Sequence, residues 1–177
     1  IVAKLDANDV DENAAAGQVA AAVLGAGQGI RATKPVTGRV NLIADGAGVV
    51  VLDVAAIEAI NAVHPMITIA TVPAWQQMAA GGMIATIKII SYAVPKADLD
   101  NACAAAGAAS LRLAYPKLRH ATLIITEIPG GVGDKGRLAI ASRLEALGVD
   151  LVTVVMVGHH TDALAAAIMA AQGDLVL

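Results

Sequence analysis

Residues 122–177 read TLIITEIPGGVGDKGRLAIASRLEALGVDLVTVVMVGHHTDALAAAIMAAQGDLVL. The spacing predicts a strand over 122–126, a Gly-rich loop over 129–136 and a helix over about 135–147. A second strand over 151–157, a helix from Thr161 and a third strand opening at Leu175 follow. Apolar strands alternating with amphipathic helices imply a parallel sheet covered on both faces. In such sheets ligands sit outside the carboxyl ends of the strands. Here that edge comprises 129–136, 158–161 and whatever follows Leu177. The chain opens on Ile1 without Met and stops on an apolar residue, so a piece of a longer protein is expected. The expected fold class is α/β: a C-terminal parallel-sheet α/β/α sandwich, incomplete, preceded by a smaller β-rich α+β domain.

Upstream the period changes. Residues 1–6 read as a short strand, and Asp9 with Glu12 resembles a capping box for an Ala-rich helix over 13–24. Gly25, Gly27 and Gly29 end that helix. Residues 36–45 and 48–53 read as two strands of a hairpin turning at Asp45-Gly46. Asp53 can cap a helix over 54–63, in which Ile57, Ile60 and Val63 share a face. The segment 66–72 carries little charge, so both faces of a strand there are expected to be buried. Residues 73–82 form a loop whose Trp75 is expected to cover a core edge. A long strand over 83–94 ends at Pro95, and 97–106 is helical. The small residues 104–110 suit a linker, and the boundary falls within 107–118, giving domains 1–110 and 111–177.

Composition narrows the function classes. A chain of 177 residues can bury roughly 70% of its unfolded surface. With no Phe, one Trp and two Tyr, the core must be aliphatic, and base-stacking platforms are not expected. Twelve basic against fifteen acidic residues leave no basic stripe, so no nucleic-acid partner is expected. The mean hydropathy of +0.69 raises the question of a membrane. The long uncharged run 59–87 is interrupted by Pro65, Pro73, Gln76, Gln77, Gly81 and Gly82, so no spanning segment is read. Neither is a basic-then-apolar leader. The lone Cys103 fits a reducing compartment, and the expected location is cytoplasmic. Its Ala-rich surroundings make it a small apolar core residue.

Gly131-Val132-Gly133-Asp134-Lys135-Gly136 matches G-x-G-x-x-G between a strand and a helix, the context of a dinucleotide fingerprint. Glycines let a backbone approach a diphosphate, and the helix start adds N–H donors. Asp134, however, puts a carboxylate where the diphosphate would lie. The second strand ends in Gly158-His159-His160 where a ribose-binding acid is needed. A P-loop is excluded, because Arg137 and Leu138 follow Gly136. Asp134 can instead accept hydrogen bonds from a polar heterocycle or cap the helix, with Lys135 solvated. His159 and His160 sit where ligands bind, but no further ligand except Asp162 is near in sequence, so no metal site is assigned. Thr161 as cap, with Asp162 in the first turn, explains part of this segment structurally. In the first part, His64 at a helix end is either a catalytic imidazole or a residue meeting the helix dipole. Residues 37–40 and 81–85 look loosely like the turns of biotin or lipoate carriers. Lys88 lies mid-strand rather than on an exposed hairpin, so a structural or oligomerising domain is expected.

Residues 122–177 resemble the first half of the molybdopterin-binding domain of molybdenum-cofactor biosynthesis proteins. The resemblance rests on Leu123-Ile124-Ile125-Thr126, Asp134-Lys135, Arg143-Leu144-Glu145-Ala146-Leu147-Gly148, the turn 158–162 and Asp174-Leu175-Val176-Leu177. Residues 37–95 are similar to the accessory domain that precedes this fold in a bacterial branch, through Thr37-Gly38-Arg39-Val40-Asn41-Leu42, Ile60-Asn61-Ala62-Val63 and Ala85-Thr86-Ile87-Lys88-Ile89-Ile90. The resemblance implies a three-layer sandwich binding a pterin dithiolate by its terminal phosphate. Some members adenylylate that pterin with MgATP and others insert molybdate. Carried over by position, Thr126, Asp134 and Lys135 would line the pocket; Gly131 and Gly133 of the Gly-rich loop and His159 and His160 at the end of the second strand join them as ligand-binding candidates by their placement alone, with no catalytic residue assigned. Enzymatic members carry an acid in the place of His159-His160, and their phosphate loop would follow Leu177. Molybdopterin is therefore the expected ligand, and MgATP is not expected on this stretch. Two other readings stand: a nucleotide-dependent enzyme of the NAD dehydrogenase type using 131–136, and a non-enzymatic assembly or regulatory module in which 37–95 makes homo-oligomer contacts.

Overall fold

The computed structural model describes residues 4–27, 29–128, 130 and 135–177, with the side chain of Lys135 left out. The chain divides into two compact units, Ile1–Tyr115 and Pro116–Leu177.

The first unit opens with β1 (Asp9–Asp11) and α1 (Glu12–Leu24). Lys4–Asp6 is not a strand, and Asp9 is not the cap. The N-cap is Asp11, whose carboxylate accepts from the N–H groups of Asn13 and Ala14 at 3.0 and 3.1 Å. Asp9 instead accepts from the Asp6 N–H. Next come β2 (Ile30–Ala32), β3 (Arg39–Ala44) and β4 (Gly48–Leu52). The Asp53 side chain caps α2 (Val54–Val63) through the Ala56 N–H, as its position before an apolar helix predicts. The remaining elements are β5 (Ile67–Thr71), β6 (Gln77–Met78), β7 (Met83–Ile89), β8 (Ala93–Pro95), α3 (Lys96–Ala105) and β9 (Leu111–Ala114).

Three antiparallel sheets result, ordered β2-β3-β7-β5, β6-β4-β9 and β1-β8. Alternation sets the buried face: Val40, Leu42 and Ala44 of β3 join Ile87 and Ile89 of β7 and Ile67 and Ile69 of β5. Ala15, Ala16, Val19, Ala20 and Val23 of α1 close on them, with Ile60 and Leu99 from α2 and α3.

Several expectations fail here for tertiary reasons. Asp45-Gly46 does not turn a hairpin, because β3 pairs with β2 and β7 while β4 pairs with β6 and β9. The segment crosses between sheets: the Asp45 N–H donates to the Gly29 carbonyl, and its carboxylate pairs with Arg31 at 2.8 Å. The Tyr115 ring lies against it. A Cβ on Gly46 would come within 2.8 Å of that ring, and one on Gly29 within 2.9 Å of the phenol oxygen. The expected strand over 83–94 breaks at 90–92. There Ser91 donates its hydroxyl to the Ala93 carbonyl, Tyr92 gives its carbonyl to the Glu12 N–H, and the chain leaves to pair with β1. Only one face of β5 is buried, since Ala70 is exposed and Thr68 half-buried on the face opposite Ile67 and Ile69. The outer edge of β5 is closed by a side chain: Asn61 accepts from the Ile69 N–H at 2.8 Å and donates to its carbonyl at 3.0 Å. Trp75 does not cover a core edge. It is 71% exposed at φ +66°, held by its N–H to the Val50 carbonyl. Residues 104–110 are not a loose linker, because Ser110 is buried and its backbone bonds both Val23 and Asp53. The division falls at Tyr115, within the expected span 107–118, because β9 pairs with β4 across Leu111–Ala114.

The second unit contains β10 (His120–Glu127), α4 (Lys135–Ala146), β11 (Asp150–Gly158), α5 (Thr161–Ala170) and β12 (Leu175–Val176). The strands are parallel, ordered β11-β10-β12. The crossover from β10 to β11 and that from β11 past β10 to β12 run in opposite directions across the sheet, and right-handed connections therefore put α4 and α5 on opposite faces. On one face Leu144 of α4 and Val149 pack against Ala121, with Leu151 and Leu175 beside them. On the other, the buried Thr122 donates its hydroxyl to the Gln172 carbonyl below the end of α5. The carboxylate of Asp174 accepts from the N–H groups of Arg119 and His120. Those two backbone donors hold its pKa below the ordinary carboxylate value.

Candidate functional site

The carboxyl ends of β10 and β11 bring three of the expected residues together. Thr126 is one residue from the end of β10, and His159 and His160 follow β11 directly. The parallel register sets Thr126 beside Val157, so the next turn of chain carries His159 back over Thr126. Its Nδ1 and the Thr126 hydroxyl share a hydrogen bond of 3.0 Å, and its backbone N–H donates to the Glu127 carbonyl at 3.2 Å.

His160 turns the chain into α5. Its N–H donates to the Gly158 carbonyl at 2.7 Å, and its own carbonyl accepts from Leu164 at 3.0 Å. His160, not Thr161, is the N-cap, and its side chain makes no capping bond. Thr161 is already helical, with Asp162 in the first turn. Thr126, His159, His160, Thr161 and Leu164 surround a depression of about 330 Å³. Two imidazoles, two hydroxyls and the start of a helix thus line this depression beside the apolar Leu164, and these groups can donate and accept hydrogen bonds. Leu164 was not singled out from the sequence. The signal was its place one turn after His160 on the expected helix.

Gly131, Gly133 and Asp134 lie outside the described residues, as does the side chain of Lys135, whose backbone opens α4. Gly136 is described, and a Cβ there would meet no atom within 4 Å. The third glycine of a dinucleotide fingerprint is required by close helix–strand packing, and Gly136 is under no such demand among the described residues.

The other singled-out groups have structural partners. His64 is the C-cap of α2; its Nδ1 accepts from the Met66 N–H at 3.2 Å, and Nε2 lies 4.0 Å from Asp98. Lys88 donates to the Thr37 carbonyl. Cys103 is half-buried against the core, and burial, then Asp100, raises its thiol pKa, which keeps it protonated. Among the described residues no three of His, Cys, Asp and Glu gather as a metal set, and no helix is long and apolar enough to cross a membrane. Comparison with family models, with curated proteins and with solved structures returned no match.

Proposed function

We propose that the depression at the tips of β10 and β11 binds an anionic pterin of the molybdopterin type, in the biosynthesis or handling of the molybdenum cofactor in the cytoplasm. The observation that supports this reading is the Thr126–His159 hydrogen bond, which ties the ends of two parallel strands together beside the start of α5. A ligand at such tips meets hydroxyl, imidazole and backbone donors at once. Asp134 and Lys135 enter the proposal from the sequence, on the loop that leaves β10. Any nucleotidyl- or molybdenum-transfer step belongs to the same proposal, and no residue is assigned to it.

The nucleotide reading is weaker on two counts. β11 ends in Gly158-His159-His160 rather than in an acid that could hold a ribose, and among the described residues a Cβ on Gly136 would meet no atom within 4 Å. The protein should therefore be titrated calorimetrically with molybdopterin, with NAD and with ATP. Pterin binding that falls by about 1–3 kcal/mol in Asp134→Ala, the cost of a lost buried hydrogen bond, is the expected outcome. NAD or ATP binding in place of the pterin would overturn it, and an unchanged pterin affinity in the variant would reassign Asp134 to capping.

A further inference from the structure

Among the described residues the outer edge of β11 is long, uncharged and unpaired. Its nine residues, Asp150–Gly158, carry no charge after Asp150, and the strand lies at the end of the order β11-β10-β12. Val152, Val154 and Met156 are 49, 37 and 42% exposed. The direction of the free hydrogen-bonding groups follows from the ladder. His159 donates its N–H inward to Glu127, so alternation turns Val157, Val155 and Thr153 inward and Val154 and Met156 outward. No strand of the described residues meets those outward N–H and C=O groups. Globular proteins ordinarily blunt such an edge with charge, proline or a covering element. This molecule does so at β5, where Asn61 occupies both polar groups of Ile69. A bulge at Val152, which has no partner between the Ala121–Leu151 and Thr122–Thr153 pairs, leaves 153–158 as the regular stretch.

The ends of the strand are unlike. Asp150 stands at its start and His159-His160 at its finish. Parallel pairing with an identical strand would set carboxylate beside carboxylate. Antiparallel pairing sets the Asp150 carboxylate, an acceptor, beside imidazoles that can donate, at both ends of a two-fold axis. We propose that β11 pairs antiparallel with β11 of a second copy of this chain, joining two three-stranded sheets into one across a two-fold axis at Val155. In that register Val154 and Met156 exchange their outward hydrogen bonds with the other copy. Val155 faces its own counterpart as a close, non-hydrogen-bonded pair. The exposed side chains of Val154 and Met156 are covered in the process.

The test is sedimentation equilibrium of the whole chain, wild type against Val154→Pro and Val154→Lys. Proline removes an outward N–H without touching the β10 ladder, and lysine puts a charge on the edge. A wild-type dimer is expected, with both variants monomeric at unchanged far-ultraviolet circular dichroism. The register is read by oxidation in a Cys103→Ser background. Val155→Cys should give a disulfide-linked dimer, because non-hydrogen-bonded antiparallel pairs bring Cα atoms to about 4.5 Å, within disulfide reach, and Val152→Cys should not. The proposal is overturned by a wild-type monomer at every concentration, by a dimer that survives both Val154 variants, or by cross-linking at 152 in place of 155. A monomer whose Val154 and Met156 amides resist hydrogen exchange would assign the edge to another segment of the same polypeptide, and would overturn it too.

Discussion

Helices α1 and α5 are both built largely of alanine, yet α1 buries five residues and α5 buries none. Alanine makes both segments helical, since it loses no side-chain entropy in a helix. Burial is decided by what lies opposite. Beneath α1 stand isoleucine, leucine and valine side chains of β3 and β7, which fill the space small residues leave. Beneath the end of α5 lies a gap of about 270 Å³ lined by Thr153, Val155, Ala167 and Ala170. The first unit is thus held by tight interdigitation, and the second chiefly by its parallel ladder and a small cluster around Ala121, Leu144 and Val149.

This contrast is easiest to break in the cores. Leu42→Ala, at a fully buried position, should cost the first unit about 2–5 kcal/mol. Ile168→Ala on the half-exposed face of α5 should stay within about 0.5 kcal/mol. Urea unfolding followed by hydrogen exchange resolves the two units, and equal losses would erase the distinction. A smaller effect sharpens it. Asn61→Ala leaves the N–H and C=O of Ile69 without partners and should destabilise by about 1–3 kcal/mol. The same exchange measurement should show the Ile69 amide losing its protection while Leu42 keeps it.

How much of this was legible in the sequence follows the same division. The elements of the second unit could be read because each strand and helix is local and its period is unbroken. The first unit was misread where partner choice is tertiary. Asp45-Gly46 carries hairpin chemistry, but the Asp45 N–H is taken by the Gly29 carbonyl, the Tyr115 ring lies against Gly46, and β3 and β4 pair in different sheets. The break at 90–92 depends on one serine hydroxyl and on a carbonyl claimed by Glu12, neither of which alters an apolar pattern. That Thr126, His159 and His160 stand together at the strand tips is legible because strand ends fix their position. The cap was placed one residue late because threonine is a common N-cap, and nothing in the sequence marks the carbonyl of His160 as the first acceptor of the helix.

The smallest expected effect concerns acid. The Asp174 carboxyl is depressed by two backbone donors, so its contribution is present above the ordinary carboxylate value and is lost as pH falls through the lowered one. Thermal melts of Asp174→Asn should therefore flatten the acid limb of the stability curve of the second unit and leave that of the first unchanged.

Tyr115 fixes where the first unit lets go of the chain. Its ring sits against two loops at once, over glycines that cannot gain a side chain without displacing it. Tension applied from the carboxyl terminus would reach the first unit at that aromatic latch. In an optical-trap experiment its failure should precede the peeling of β9 from β4 and set the force at which the first unit starts to come apart.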